Sequence, residues 1–242
     1  FSNAPKINIS QRWVQIGEDI NGSKHYSDSG YSVSLSRDGS IVAIGAPKSD
    51  SVKQEIHTSF GTGEVRIYQN KDNEWIQIGN SIEGLYQIDN LGKSVEISSD
   101  GNVLAVGAPN HDSYKGQVSI FQNDNGTWTQ IGNDIYGDAS YSYSGTSISL
   151  SSDGTIVAIG AHEYSSGTPG NLLENSGRVN IYQNENGSWK KIGNIYGGAI
   201  SEYSGYSVNL SSDGSIVAIG SIGSNPYKRY TGESTNPEFN DN

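Results

Sequence analysis

Four times along the chain a short run alternates polar and apolar residues, turns on Asp-Gly, and returns as an unbroken apolar run. In the first copy Ser32-Val33-Ser34-Leu35-Ser36 alternates, Arg37-Asp38-Gly39-Ser40 follows, and Ile41-Val42-Ala43-Ile44 completes the pair. The copies span 32–45, 94–107, 147–160 and 207–220. Alternation places every second side chain on one face, so 32–36 reads as a half-buried strand. A continuous apolar run reads as a strand buried on both faces. Asp-Gly at 38–39, 100–101, 153–154 and 213–214 marks the hairpin between them, because Gly accepts positive φ without steric cost.

Two further blocks recur. Gly63-Glu64-Val65-Arg66-Ile67-Tyr68-Gln69-Asn70 returns at 116–123 and 177–184, and alternates like the first strand. Trp75-Ile76-Gln77-Ile78-Gly79 returns at Trp128 and Trp189 and, ahead of the first full unit, at Trp13. Each unit therefore reads as four strands with one Trp on the last. Such units, repeated, match the blades of a β-propeller. A β-sandwich is the competing layout, but it needs inequivalent strands where these are near-identical. The predicted fold is all-β, a β-propeller of four-stranded antiparallel blades, with about four blades or as a fragment of a larger ring. Residues 1–10 form an N-terminal extension and 11–222 the repeats. These open with a lone Trp strand at 11–17 and continue with units starting near 30, 92, 145 and 205. Residues 223–242 are a tail, from which 226–232 would supply a strand to complete the last blade.

Composition narrows the partners. The net charge of −11 repels phosphate backbones and anionic membrane surfaces, which disfavours both as partners, so no nucleic acid is expected. No stretch approaches the ~20 apolar residues that a spanning helix needs. Hydrophobic residues make up only 33%, yet 31 glycines with abundant Ser and Asn point to many turns rather than to disorder. The chain has no cysteine, so disulfides, thiol catalysis and zinc-thiolate sites are excluded. It has no methionine either, so Phe1 is not expected to be an initiator end. Asn8, Asn21, Asn125, Asn186 and Asn209 head Asn-x-Ser/Thr sequons that would accept N-glycans in a secreted setting.

The order Gly-x-Ser-Val, Asp-Gly, Ile-Gly-Ala-Pro, Gly-x-Val-x-Ile-Tyr resembles the FG-GAP repeat of integrin alpha propellers and of many bacterial and viral surface proteins. The resemblance covers about 11–222 and is closest to the branch with a trailing Gly-x-Trp-x-Gln strand. The Gly-Ala-Pro stands as Gly45-Ala46-Pro47 and Gly107-Ala108-Pro109, and decays to Gly160-Ala161-His162 and Gly220-Ser221-Ile222. It implies a propeller on a cell or virion surface. Two departures matter. Ser29, Leu91, Ser144 and Ser204 replace the Phe of the motif. Integrin-type blades also carry a calcium loop, whereas here one Asp alone precedes each Gly. One carboxylate cannot provide the six to eight oxygens that calcium takes, so no cofactor is expected.

In a propeller the loops after the second and fourth strands share one face. On that face the loops over 47–62, 109–115 and 162–176 differ in length, whereas the turns at the other end are short and uniform. Variable loops on a rigid scaffold are where binding is usually placed. Tyr26, Tyr86, Tyr141, Tyr143 and Tyr203 fall on this face, as do His57, His111 and His162. Tyr among Ser and Gly is the composition of an adaptable recognition surface for protein or carbohydrate. Unequal loops argue against the histidines converging on a metal. The four tryptophans suit packing between units better than sugar stacking. No Ser-His-Asp arrangement is set out by a nucleophile-elbow motif, and Leu91-Gly92-Lys93-Ser94 lacks the first Gly of a phosphate loop. Three readings stand: a non-enzymatic extracellular or surface recognition module, a self-assembling building block of a filament, fibre or virion, and a hydrolase built on carboxylates in a central channel.

Overall fold

A computed structural model describes residues 13–49 and 61–223, and these fold as a series of antiparallel sheets. The 1–10 extension, Asn8, His57 and the tail from 224 on, including the strand expected at 226–232, lie outside the described residues. The first unit comprises β1 (Ser32–Leu35), β2 (Ile41–Ala46), β3 (Glu64–Lys71), β4 (Glu74–Gln77) and β5 (Ile82–Glu83). Its order is β1-β2-β3-β4, with β5 pairing the start of β3. The second unit repeats that plan with β6 (Ser94–Ile97), β7 (Val103–Ala108), β8 (Gln117–Asp124), β9 (Thr127–Gln130) and β10 (Ile135–Tyr136). The third has β11 (Ser147–Leu150) and β12 (Ile156–Ala161), then a small hairpin of β13 (Ser166–Thr168) and β14 (Asn171–Leu173). It closes with β15 (Arg178–Glu185) and β16 (Ser188–Tyr196) in the order β11-β12-β15-β16. The fourth contributes β17 (Ser204–Leu210) and β18 (Val217–Ser221) among the described residues.

The turns follow from side-chain chemistry. Ser36 N donates to Ile41 O and Gly39, at φ 74°, donates its N–H to Ser36 O, so Asp-Gly is the middle of a four-residue loop, 37–40, rather than a two-residue one. Asp38 locks the loop: its Oδ1 accepts from Ser36 Oγ, Ser40 N and Ser40 Oγ. Asp100, Asp153 and Asp213 repeat the arrangement. At the opposite hairpin Asn125-Gly126 and Asn186-Gly187 both have positive φ, as a two-residue turn of this hand requires. The expected lone strand at 11–17 is not formed over its described part, 13–17, and Trp13 is fully exposed. A strand exists only when its backbone is paired with another strand, and among the described residues no strand pairs with this segment.

Successive sheets stack face to face. Ile41, Ala43, Val65 and Ile67 of the first unit form one core with Val95, Ile97, Leu104 and Val106 of the second. Val118 and Ile120 meet Ile148, Leu150, Val157 and Ile159 in the next. Ala158 and Val179 meet Leu210 in the last. The same hydrogen bonds recur at each junction. Ser32, Ser94 and Ser147 Oγ donate to the carbonyls of Gly92, Gly145 and Gly205 at 2.8, 2.7 and 2.8 Å. The Trp75, Trp128 and Trp189 indoles donate to Ile16, Ile78 and Ile131 O at 3.0, 3.3 and 3.1 Å. Each tryptophan thus ties its sheet to the preceding Trp segment, and Ile16 serves in that place although its segment is not a strand.

Candidate functional site

Antiparallel pairing brings two loop sets to one end of the sheets: those after the second strand of each unit and those leading into each first strand. Backbone hydrogen bonds stitch them together. Leu91 N donates to Thr62 O, Ser144 N to Lys115 O and Ser204 N to Ser176 O. Tyr141 N and Tyr143 N donate to Ser113 O and Tyr114 O, and Tyr203 N to Asn175 O. The segment expected as a loop over 162–176 carries the β13–β14 hairpin, and 111–114 is a tight turn with Asp112, Ser113 and Tyr114 all at positive φ.

The loops leading into the first strands share one backbone signature. Residue pairs 26/28, 88/90, 141/143 and 201/203 all have positive φ, between 52° and 85°, and none of the eight is glycine. Each such residue costs on the order of 1 kcal/mol or more. The kinked tripeptide turns its middle residue inward, so Ser27, Asp89 and Ser142 are buried. Its first residue points out: Tyr26, Ile88 and Tyr141 are exposed. Sequence pattern does not reveal this device: four of the eight are Tyr, but Asp28, Ile88, Asn90 and Ser201 fill the equivalent places.

Two aromatic clusters result. His111 lies 5.6 Å from both the Tyr86 and Tyr136 rings. Tyr114 packs against Tyr141 at 5.6 Å and Tyr143 at 5.1 Å, and Tyr143 continues to His162 at 5.9 Å. His162 then reaches Tyr203 and, edge-on at 5.4 Å, Tyr206. Six of the residues expected on this face therefore meet in the two clusters. Tyr26 contacts His25 and belongs to neither. Tyr114, Tyr136 and Asp89 complete the surface and were not singled out from sequence: Tyr114 and Asp89 lie in segments that look no different from ordinary turns, and Tyr136 lies in the short strand β10. A groove of about 440 Å³ opens beside the first cluster, lined by Tyr86, Ile88, Asp89, Asn110, His111 and Tyr114.

Charge within the surface is paired. His111 Nδ1 sits 2.9 Å from Asp89 Oδ2. Burial pushes the Asp89 carboxyl up, partly offset by that imidazole. Burial lowers His162, whose Nδ1 has no hydrogen-bond partner among the described residues. Arg178, only 3% exposed, holds Asp138 and lies 3.9 Å over the Tyr164 ring. Burial alone would raise Asp138, but Arg178 and Lys191 hold it below the usual carboxylate range. His111 and His162 sit in separate clusters, and among the described residues no group of three His, Asp or Glu is placed to hold a metal ion. Of the sequons, Asn125 and Asn186 occupy exposed turn tips, Asn21 an exposed loop, and Asn209 an exposed position in β17. No known protein-family model matches the chain, and no curated protein matches it.

Proposed function

We propose that the chain is a β-propeller, or an arc of one, of the FG-GAP-like kind, and that it acts by binding a protein or glycan through its tyrosine-rich loop end on a cell or virion surface. The observation that carries this reading is the row of tyrosines presented on strained, non-glycine backbone. Strain of that kind persists only where surrounding structure enforces it, and it clusters where ligands are held. Rigid Tyr rings beside small polar residues give contact area with little loss of side-chain freedom. Repetition of the first-strand face in every unit makes that face scaffold and leaves the loops to vary. Exposed sequons fit a secreted setting.

The test is to find a ligand by glycan-array and surface-protein screening of the full chain, then replace Tyr141 and Tyr143 with Ala together. Loss of two central rings should weaken binding at least tenfold, the scale of about 1.4 kcal/mol or more expected of aromatic anchors. Unchanged affinity would remove this end of the molecule from consideration.

A further inference from the structure

The junction between units is built three times inside the chain, and among the described residues one half of it remains open at each end. At every internal junction a Ser and a Gly stand opposite one another on the leading sheet: Ser32 with Gly45, Ser94 with Gly107, Ser147 with Gly160. The carbonyl of Gly92, Gly145 or Gly205 fills the space over that Gly, where an added Cβ would lie 2.1–2.2 Å away. Ser207 and Gly220 form the fourth such pair. No carbonyl from a further unit lies over Gly220, and Ser207 makes no equivalent bond among the described residues.

The matching half lies at the other end of the chain. Gly92, Gly145 and Gly205 are pressed against the preceding unit, whereas among the described residues their counterpart Gly30 has nothing within 4 Å of a Cβ. Val33 and Leu35 are 63% and 56% exposed, while Val95 and Ile97 in the same places are 6% and 5%. Ala218 is exposed where Ala43, Ala105 and Ala158 are fully buried. The backbone chain that links the turns, from Arg37 N to Ser99 O, Ser99 N to Ser152 O and Ser152 N to Ser212 O, likewise stops at Ser212 N with Arg37 O unused among the described residues.

We infer that a second copy of this chain docks head to tail: the Ser207, Ala218 and Gly220 face of one copy seats on the Gly30, Val33 and Leu35 face of the other. The complementarity is continuous with an interface that this same sequence already forms three times. It gives Ser207 Oγ the Gly30 carbonyl, Ser212 N the Arg37 carbonyl, and Val33 and Leu35 an apolar cover. A joint between two unlike faces closes into a ring or extends into a fibre. This inference stands apart from ligand binding at the loop end, which uses other residues.

The test uses the full chain made without glycans, because Asn209 lies on the docking face. Sedimentation and light scattering over a hundredfold concentration range should show the mass rising to at least twice that of one chain. Leu35→Glu blocks one face and Ala218→Glu the other. Both side chains are exposed, so each variant should keep the parent circular dichroism, and each alone should be monomeric. Mixed, they retain one good face apiece and should form a one-to-one pair. A parent chain that stays monomeric throughout overturns the inference, as does a mixture of the two variants that does not associate.

Discussion

Asp100 accepts from Ser98 Oγ at 2.6 Å and from Asn102 N at 3.0 Å, bonds that favour its carboxylate over its protonated form. Replacing it with Ala should cost about 1 kcal/mol, read as a shift in urea midpoint without a change in slope. The same bonds govern the acid limb of stability. Ser40 and Ser36 bring Asp38 from the usual 3.8 to about 2, Ser211 and Ser215 do the same for Asp213, and Asp153 is lowered likewise. Carboxyls that are depressed in the folded state stabilise it above the unfolded value and lose that contribution as pH falls through the folded one. Melting temperature should therefore drop as pH falls from about 4 to 2. Glu96 and Asp89, pushed up by burial, act in the opposite sense, and their cost is relieved on mild acidification. A melting temperature that is highest at mildly acidic pH and then falls is the expected profile, and a flat one between pH 4 and 2 would contradict the role given to the turn carboxylates. Asp-Gly was legible from sequence as a turn. The four-residue loop and its Asp lock were not, since both depend on Ser36 and Ser40 being folded back onto the carboxylate.

Strand identity at the element scale follows from pattern: the alternating and continuous runs became β1 and β2 and their repeats, and the Val-x-Ile-Tyr blocks and the Trp75, Trp128 and Trp189 blocks became β3 and β4 and theirs. What pattern does not show is how closely the sheets approach. In β7 a Cβ at Gly107 would lie 2.2 Å from Gly145 O and 2.3 Å from Ser94 Oγ. Gly107→Ala should therefore destabilise by about 3 kcal/mol, because two backbones rather than flexible side chains would have to separate. Trp189→Phe should cost about 1 kcal/mol through loss of the indole bond to Ile131 O, while keeping most of the packing. Both values are measurable by chemical denaturation. The segment 13–17 carries the Trp pattern without becoming a strand, since pattern supplies side chains and a strand also needs a partner.

Stacking of equivalent sheets makes each junction a nearest-neighbour contact, so stability should vary along the molecule, as nearest-neighbour models of stacked units describe. The second and third units are covered on both faces and the fourth contributes only β17 and β18 among the described residues. Amide hydrogen exchange should thus be fastest in β17–β18 and slowest in β7–β8 and β12–β15. Uniform protection across all units would mean that the ends are covered as well as the middle.

Local chemistry determined the strands, the turns and the repeat, because alternation, apolar runs, Asp-Gly and Asn-Gly act over a few neighbouring residues. Loop placement followed from strand order, which is why six of the expected Tyr and His residues met. The positive-φ kinks, the burial of Asp89 beside His111 and the unequal exposure of Val33 and Val95 were decided by the folded molecule. Each depends on what lies across a junction, and identical residues at 33 and 95 differ only in whether a neighbouring sheet is there to cover them.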